Sequence, residues 1–212
     1  MPRSHARAAA RAQAAIAPSA RGPRPAIPGP PLPKEPALPD LPRLTLVTGG
    51  ARSGKSGYAE ALATASGRPR RYIATAQAFD AEMAERIARH RAQRGEGWVT
   101  VEAPLDLAAA LAQARAEEVV LVDCLTLWLT NHLLAGHDLE AETARLAEAL
   151  RACPAPAICV TNEVGWGIVP ADPLSRRFRD EQGRLNQRLA GEAGLVVAVL
   201  CGLPLALKGR LP

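Results

Sequence analysis

Aromatic residues make up 3% of this 212-residue chain. A core with so few rings must be assembled from Ala, Leu, Val and Ile, and at 48% hydrophobic content there is enough of them to build one. Long apolar runs are also missing. The best candidate, Val119 to Leu134, is broken by Asp123, Asn131 and His132, and it falls short of the roughly 18 residues of a membrane span. Cysteine is sparse and unpaired in pattern. Cys124, Cys153, Cys159 and Cys201 form no CxxC and no ligand spacing with the four histidines. They read as buried, reduced thiols of a cytoplasmic protein.

A general basic field is absent too, although the net charge is +5. Residues 1–43 hold seven Lys/Arg and two Asp/Glu, whereas residues 44–212 hold nineteen of each. The excess is confined to the N-terminal stretch, so the remainder lacks the basic track that a phosphate backbone requires. Eleven of the nineteen prolines also precede residue 43. Proline removes backbone donors and blocks helix and sheet interiors, so residues 1–40 are expected to be a disordered Ala/Pro/Arg-rich tail. This tail lacks the continuous apolar segment of a secretory signal. Residues 41–212 form the expected folded domain.

From Leu41 strands and helices alternate. Strands are predicted at Leu44–Val47, Arg71–Thr75, Trp98–Val101, Val119–Val122, Ala157–Val160, Leu195–Leu200 and Leu203–Leu207. The last two are placed in a hairpin through Gly202. Helices are predicted at Ser56–Ala65, Asp80–Arg94, Leu105–Ala116, Thr126–Leu134 and Leu139–Ala152. A further helix runs from Asp172 toward Ala190, with Pro173 in its first turn. Short apolar runs such as Val119–Val122 suit central parallel strands. The order predicts an α/β fold, a mainly parallel sheet flanked by helices, closing in a C-terminal hairpin.

Gly49-Gly50-Ala51-Arg52-Ser53-Gly54-Lys55-Ser56 matches G-x-x-x-x-G-K-[ST] between a predicted strand and a predicted helix. Such a loop turns backbone N–H groups onto phosphate oxygens, and the helix start adds its positive dipole end. Lys55 is expected on the β- and γ-phosphates and Ser56 on Mg²⁺. Asp123 ends the Val119–Val122 run, where it suits either a second Mg²⁺ contact or an N-cap for the next helix.

Three further strings accompany this loop. One is Tyr72-Ile73-Ala74-Thr75-Ala76-Gln77, which leads into Asp80 through Arg91. The second is Thr161-Asn162-Glu163-Val164-Gly165-Trp166-Gly167-Ile168-Val169-Pro170. The third runs from Phe178-Arg179-Asp180 through Gly183-Arg184-Leu185-Asn186-Gln187-Arg188-Leu189-Ala190. Taken with Thr48 to Ser56, and in this order and spacing from about Leu44 to Lys208, they resemble the adenosylcobinamide kinase / adenosylcobinamide-phosphate guanylyltransferase family.

The resemblance implies a RecA-like P-loop fold, a homotrimer, and use of ATP, GTP and Mg²⁺. It implies phosphorylation of adenosylcobinamide, followed by transfer of GMP to adenosylcobinamide phosphate through a guanylylated histidine. That histidine maps onto His90. Some members carry paired histidines where this chain has Arg89-His90, and some carry Glu at Asp123. Nucleotide contacts would map onto residues 49–56, Ala74, Thr75, Ala76, Arg91, Arg94, Glu102 and Asp123.

Read alone, His90 shares a helix face with Met83 and Ile87 and suits a packed position. Arg86, Arg89, Arg91 and Arg94 around it suit a polyphosphate. They equally suit a solvated face paired with Glu82 and Glu85. Asn162-Glu163 follows a buried strand at the edge where α/β sheets bind ligands. Arg176, Arg177, Arg179, Arg184 and Arg188 make a basic helix, read as surface or intersubunit residues. His132 and His137 are read as structural or exposed. The alternatives are a small-molecule P-loop kinase without nucleotidyl transfer, and a RecA-like ATPase acting on nucleic acid, which the neutral domain disfavours.

Overall fold

The computed structural model describes residues 41–77 and 97–212. The tail expected over residues 1–40 and the helix expected at Asp80–Arg94 lie outside these residues. Seven strands form one sheet, at Leu44–Thr48 (β1), Arg70–Ala74 (β2), Trp98–Glu102 (β3), Val119–Asp123 (β4), Ala157–Val160 (β5), Leu195–Leu200 (β6) and Leu203–Lys208 (β7). Their order across the sheet is β3-β2-β4-β5-β1-β6-β7. The first six run parallel, and β7 returns antiparallel to β6.

Alternation along the strands feeds two cores. Leu44, Leu46, Val120 and Val122 face one side of the sheet. Val47, Val119, Leu121 and Val197 face the other. Helix Lys55–Ala65 (α1) packs on the second side through Ala59, Leu62 and Ala63. On the first side lie Leu107–Ala112 (α2), Leu125–Leu134 (α3), Leu139–Ala152 (α4) and Pro173–Glu192 (α5). Trp128 of α3 is fully buried there, and its indole N–H donates to the Leu105 carbonyl at 2.9 Å.

Most predicted elements are present within two residues of their expected ends. The helix at Leu105–Ala116 is shorter, because Asp106 caps it by accepting from the Ala109 N–H at 3.2 Å. It ends at Ala112, and the chain then turns so that the Arg115 N–H reaches the Glu118 carboxylate at 2.9 Å. Asp172 caps α5 as expected, with Pro173 in the first turn. One cysteine departs from expectation. Cys201 is exposed while the other three are buried, because it sits in the tight β6–β7 turn at the sheet edge, whose Gly202 N–H donates to the Ser53 carbonyl at 2.9 Å. His132 is buried and bonded to the Leu105 carbonyl, with His137 at its other ring nitrogen. Among the arginines of α5, Arg176 binds the Pro170 and Ala171 carbonyls, and Arg179, Arg184 and Arg188 pair with acids on the same helix.

Glu118 is buried against two arginines. Arg71 grips it with two bonds of 2.9 and 3.2 Å, and Arg115 adds a contact at 3.2 Å. The Arg71 hydrogen bond, opposed by burial, lowers its pKa from 4.5 to about 2. The unfolded chain therefore takes up this proton first as pH falls. The stabilisation is complete above pH 4.5 and is lost as pH drops toward 2. Glu118→Gln is expected to cost about 3 kcal/mol at neutral pH by leaving Arg71 unpaired. Urea unfolding of both proteins should show the difference narrowing below pH 4.5. A difference that does not change with pH would contradict this account.

Candidate active site

Strand register gathers the predicted residues at one edge. Ala74 of β2 stands level with Glu102 of β3 and Asp123 of β4. Asp123 is in turn level with Val160 of β5, and Val160 with Val47 of β1. The phosphate-binding loop starts two residues beyond Val47. Glu102, Ala74, Asp123 and the loop therefore line the carboxyl edge of parallel strands, where open α/β sheets take ligands.

The loop is shaped by its glycines. A Cβ on Gly49 would lie 2.5 Å from the Val199 carbonyl oxygen and 2.6 Å from Ser53 Oγ, so no larger residue fits. Gly54 adopts φ +94°, in the left-handed region. It occupies the N-cap of α1 and offers no side chain to the first-turn N–H groups, which leaves the helix start suited to an anion. Ser53 Oγ and Thr48 Oγ1 are buried without a hydrogen-bond partner. Such orphaned polar atoms, one at the end of β1 and one in the loop before α1, fit a phosphate-binding cradle. Lys55 Nζ donates to the Gly50 carbonyl at 3.1 Å, across the curl of the loop.

Asp123 does not cap α3. The N-cap is Cys124, which makes no side-chain cap bond. Instead Asp123 Oδ2 accepts from the Tyr72 hydroxyl at 2.8 Å. This fixes the carboxylate at the strand end, away from the capping role. Ser56 lies in the first turn of α1 and is half-buried. Among the described residues no cluster of three His, Cys, Asp or Glu could hold a metal. A hydroxyl plus one carboxylate nevertheless fits Mg²⁺, which keeps several waters.

Thr75 is fully buried. Its hydroxyl accepts from the Cys124 N–H and donates to the Cys124 carbonyl, both at 2.8 Å. Its N–H donates to the Asp123 carbonyl at 3.3 Å. Asn131 of α3 donates to the Thr75 and Pro104 carbonyls, each at 2.9 Å. Thr75 thus braces the ends of β2 and β4, and Asn131 ties β2 to the chain leaving β3.

A second brace holds the end of β5. Gln182 and Asn186 of α5 bond to each other and to the Thr161 hydroxyl at 2.7–3.0 Å. Asn186 donates to the Asn162 carbonyl at 3.0 Å, and the Asn162 N–H donates to Thr126 Oγ1 at 2.9 Å. The Glu163 N–H then reaches the Gly49 carbonyl at 3.2 Å, which joins the β5 end to the phosphate-binding loop.

The bracing roles of Tyr72, Asn131, Gln182 and Asn186 are not evident from the sequence. The available signals are a polar Asn131 inside an apolar helix run and the i, i+4 spacing of Gln182 and Asn186. His90, Arg91 and Arg94 lie outside the described residues.

Residues 45–207 match the family model for cobinamide kinase / cobinamide phosphate guanyltransferase. The bifunctional adenosylcobalamin biosynthesis protein CobP of Pseudomonas aeruginosa is 52% identical over 168 residues, covering 78% of this chain and 97% of that one. The corresponding CobU of Escherichia coli is 45% identical over 181 residues, covering 78% and 99%. That of Salmonella typhimurium is 41% identical over 181 residues, with the same coverage. Match and fold agree, since the sheet is mainly parallel, carries its phosphate-binding loop after β1 and closes in an antiparallel C-terminal hairpin. The chain belongs to the cobinamide kinase / cobinamide phosphate guanyltransferase family.

Proposed function

We propose that this protein phosphorylates adenosylcobinamide with a nucleoside triphosphate and then transfers GMP from GTP to the new phosphate, giving adenosylcobinamide-GDP and pyrophosphate. The supporting observation is the alignment of Glu102, Ala74 and Asp123 beside a complete phosphate-binding loop, in a member of this family.

In the first reaction the substrate hydroxyl attacks the γ-phosphorus, and the bond to the nucleoside diphosphate breaks. Lys55 and the α1 start hold the phosphates. Ser56 and Asp123 would hold Mg²⁺, which supplies charge neutralisation on phosphate oxygens when bound. In the second reaction an imidazole nitrogen of His90 attacks the α-phosphorus of GTP, and pyrophosphate leaves. An oxygen of adenosylcobinamide phosphate then displaces the imidazole, breaking the phosphorus–nitrogen bond. Arg91 and Arg94 would assist with phosphate charge. The working form would be a homotrimer, and its partners are these two corrinoids, not nucleic acid.

The test is incubation with adenosylcobinamide, ATP and GTP, followed by mass analysis of the corrinoids. Both the phosphate and the GDP adduct are expected. Phosphate alone would reduce the reading to a kinase, and neither product would refute it.

Residues 1–40 take no part in this scheme. A chain beginning at Leu41 should keep both activities and its melting temperature. A marked loss of either would show that the tail contributes to the fold or the assembly.

A further inference from the structure

The chain leaving β5 carries an apolar surface that the fold does not use. Ile168 is 97% exposed, Trp166 80%, Val169 59% and Leu174 52%. Four strongly exposed apolar side chains on one short stretch, a tryptophan among them, mark a contact surface rather than ordinary scatter. Its two ends are fixed. Glu163 is bonded to Gly49 through its N–H, and its side chain accepts from the Gly165 N–H at 2.9 Å. At the far end Arg176 donates to the Pro170 carbonyl at 2.9 Å, and Asp172 caps α5. The apolar side chains are thus presented from a segment held at both ends.

Sheet order says what lies beside it. β5 runs between β1, which feeds the phosphate-binding loop, and β4, which ends at Asp123. The chain leaving β5 starts where a terminal phosphate and its metal would meet. Phosphoryl transfer requires the acceptor oxygen at about 3–3.5 Å from phosphorus, so the body of the acceptor must rest on a surface continuous with that point. Another exposed apolar row, Leu203, Leu205 and Leu207 of β7, lies beyond β6, on the flank of β1 away from Asp123.

We propose that Val164–Leu174 is the acceptor subsite, with Trp166, Ile168 and Val169 taking the methyl-rich face of the corrinoid ring. This deepens, and rests on, the activity proposed above. An indole offers a large rigid apolar plane at little entropic cost, suited to a broad, flat ring with an amide rim. Bound there, the corrinoid would present its aminopropanol arm toward the loop.

Adenosylcobinamide and GTP are titrated separately by calorimetry into the wild-type protein, Trp166→Ala, Trp166→Phe and the Trp166→Ala/Ile168→Ala double variant. Sedimentation reports the mass of each. Trp166→Ala should weaken corrinoid binding by about tenfold or more, the double variant further, and Trp166→Phe should restore most of it. GTP affinity and mass should stay unchanged. Corrinoid binding that is strong in the wild type and unaltered in the double variant would overturn the subsite while leaving the activity standing. A variant that changes mass would make the surface a subunit contact and equally overturn it. A wild-type protein that binds GTP but no corrinoid would overturn the subsite and the proposed activity together.

Discussion

His90→Ala protein should phosphorylate adenosylcobinamide and go no further, so that adenosylcobinamide phosphate accumulates in the presence of both nucleotides. The separation follows from the chemistry of the two steps. An alcohol can attack a γ-phosphorus directly, given a nucleotide held in place. Joining GMP to a phosphate ester brings two anions together, and a covalent carrier divides that task into two displacements. Imidazole is suited to the carrier role, because it is neutral and nucleophilic near pH 7 and leaves readily from a phosphoramidate. Guanylylation in the variant should fall by about three orders of magnitude or more, the scale at which loss of a nucleophile registers. Wild-type protein given α-labelled GTP should take up label that survives base and is released by acid, as a phosphorus–nitrogen bond requires. Label on the His90→Ala protein would assign the carrier to another residue.

Lys55→Ala should depress both reactions together. Lys55 begins α1, beside the orphaned Ser53 hydroxyl and the uncapped helix start, and it reaches across the loop to Gly50. The proposed scheme places both triphosphates in one cradle, so one substitution should remove the same charge-assisted phosphate contact from both transition states. Losses of about 10²- to 10³-fold in kcat are expected for each, comparable with removal of a preorganised donor elsewhere. Circular dichroism should show an intact fold. Turnover near the wild-type rate at saturating nucleotide would remove Lys55 from the mechanism, and loss of one activity alone would mean two separate triphosphate sites.

The fold was legible in the sequence because its signals are local. A buried parallel strand is a short run such as Val119–Val122, and the loop motif announces itself between a strand and a helix. Asp123 was ambiguous for a physical reason. An acid after a strand suits a metal or an N-cap, and what removes the capping role is a cap position taken by Cys124 and a bond to the Tyr72 hydroxyl, 51 positions away in sequence. The braces at Thr75 and at Gln182–Asn186 were illegible for the same reason. Their partners come from different strands and helices, and no periodicity encodes a hydrogen bond between elements. Helix α2 stopped early because its end is set by Arg115 turning back to Glu118, a long-range demand of the Arg71 pair that overrides helix propensity.

The register row that aligns Glu102, Ala74 and Asp123 has a consequence for how this chain can change. The spacing of these residues is set by the ladders between strands, and connections at the opposite edge of the sheet play no part in it. Of those connections, 113–118, 153–156 and 193–194 carry the core residues Ala114, Cys153, Ala155 and Ala193, whereas the turn at 66–69, with Gly67 and Pro69 exposed, can change in length with little effect on the chemistry. One residue gained or lost inside β4 would turn Asp123 to the other face of the sheet. Tolerance and constraint thus lie at opposite ends of β2, which makes the turn around Gly67 the natural place to graft a tag or a new domain.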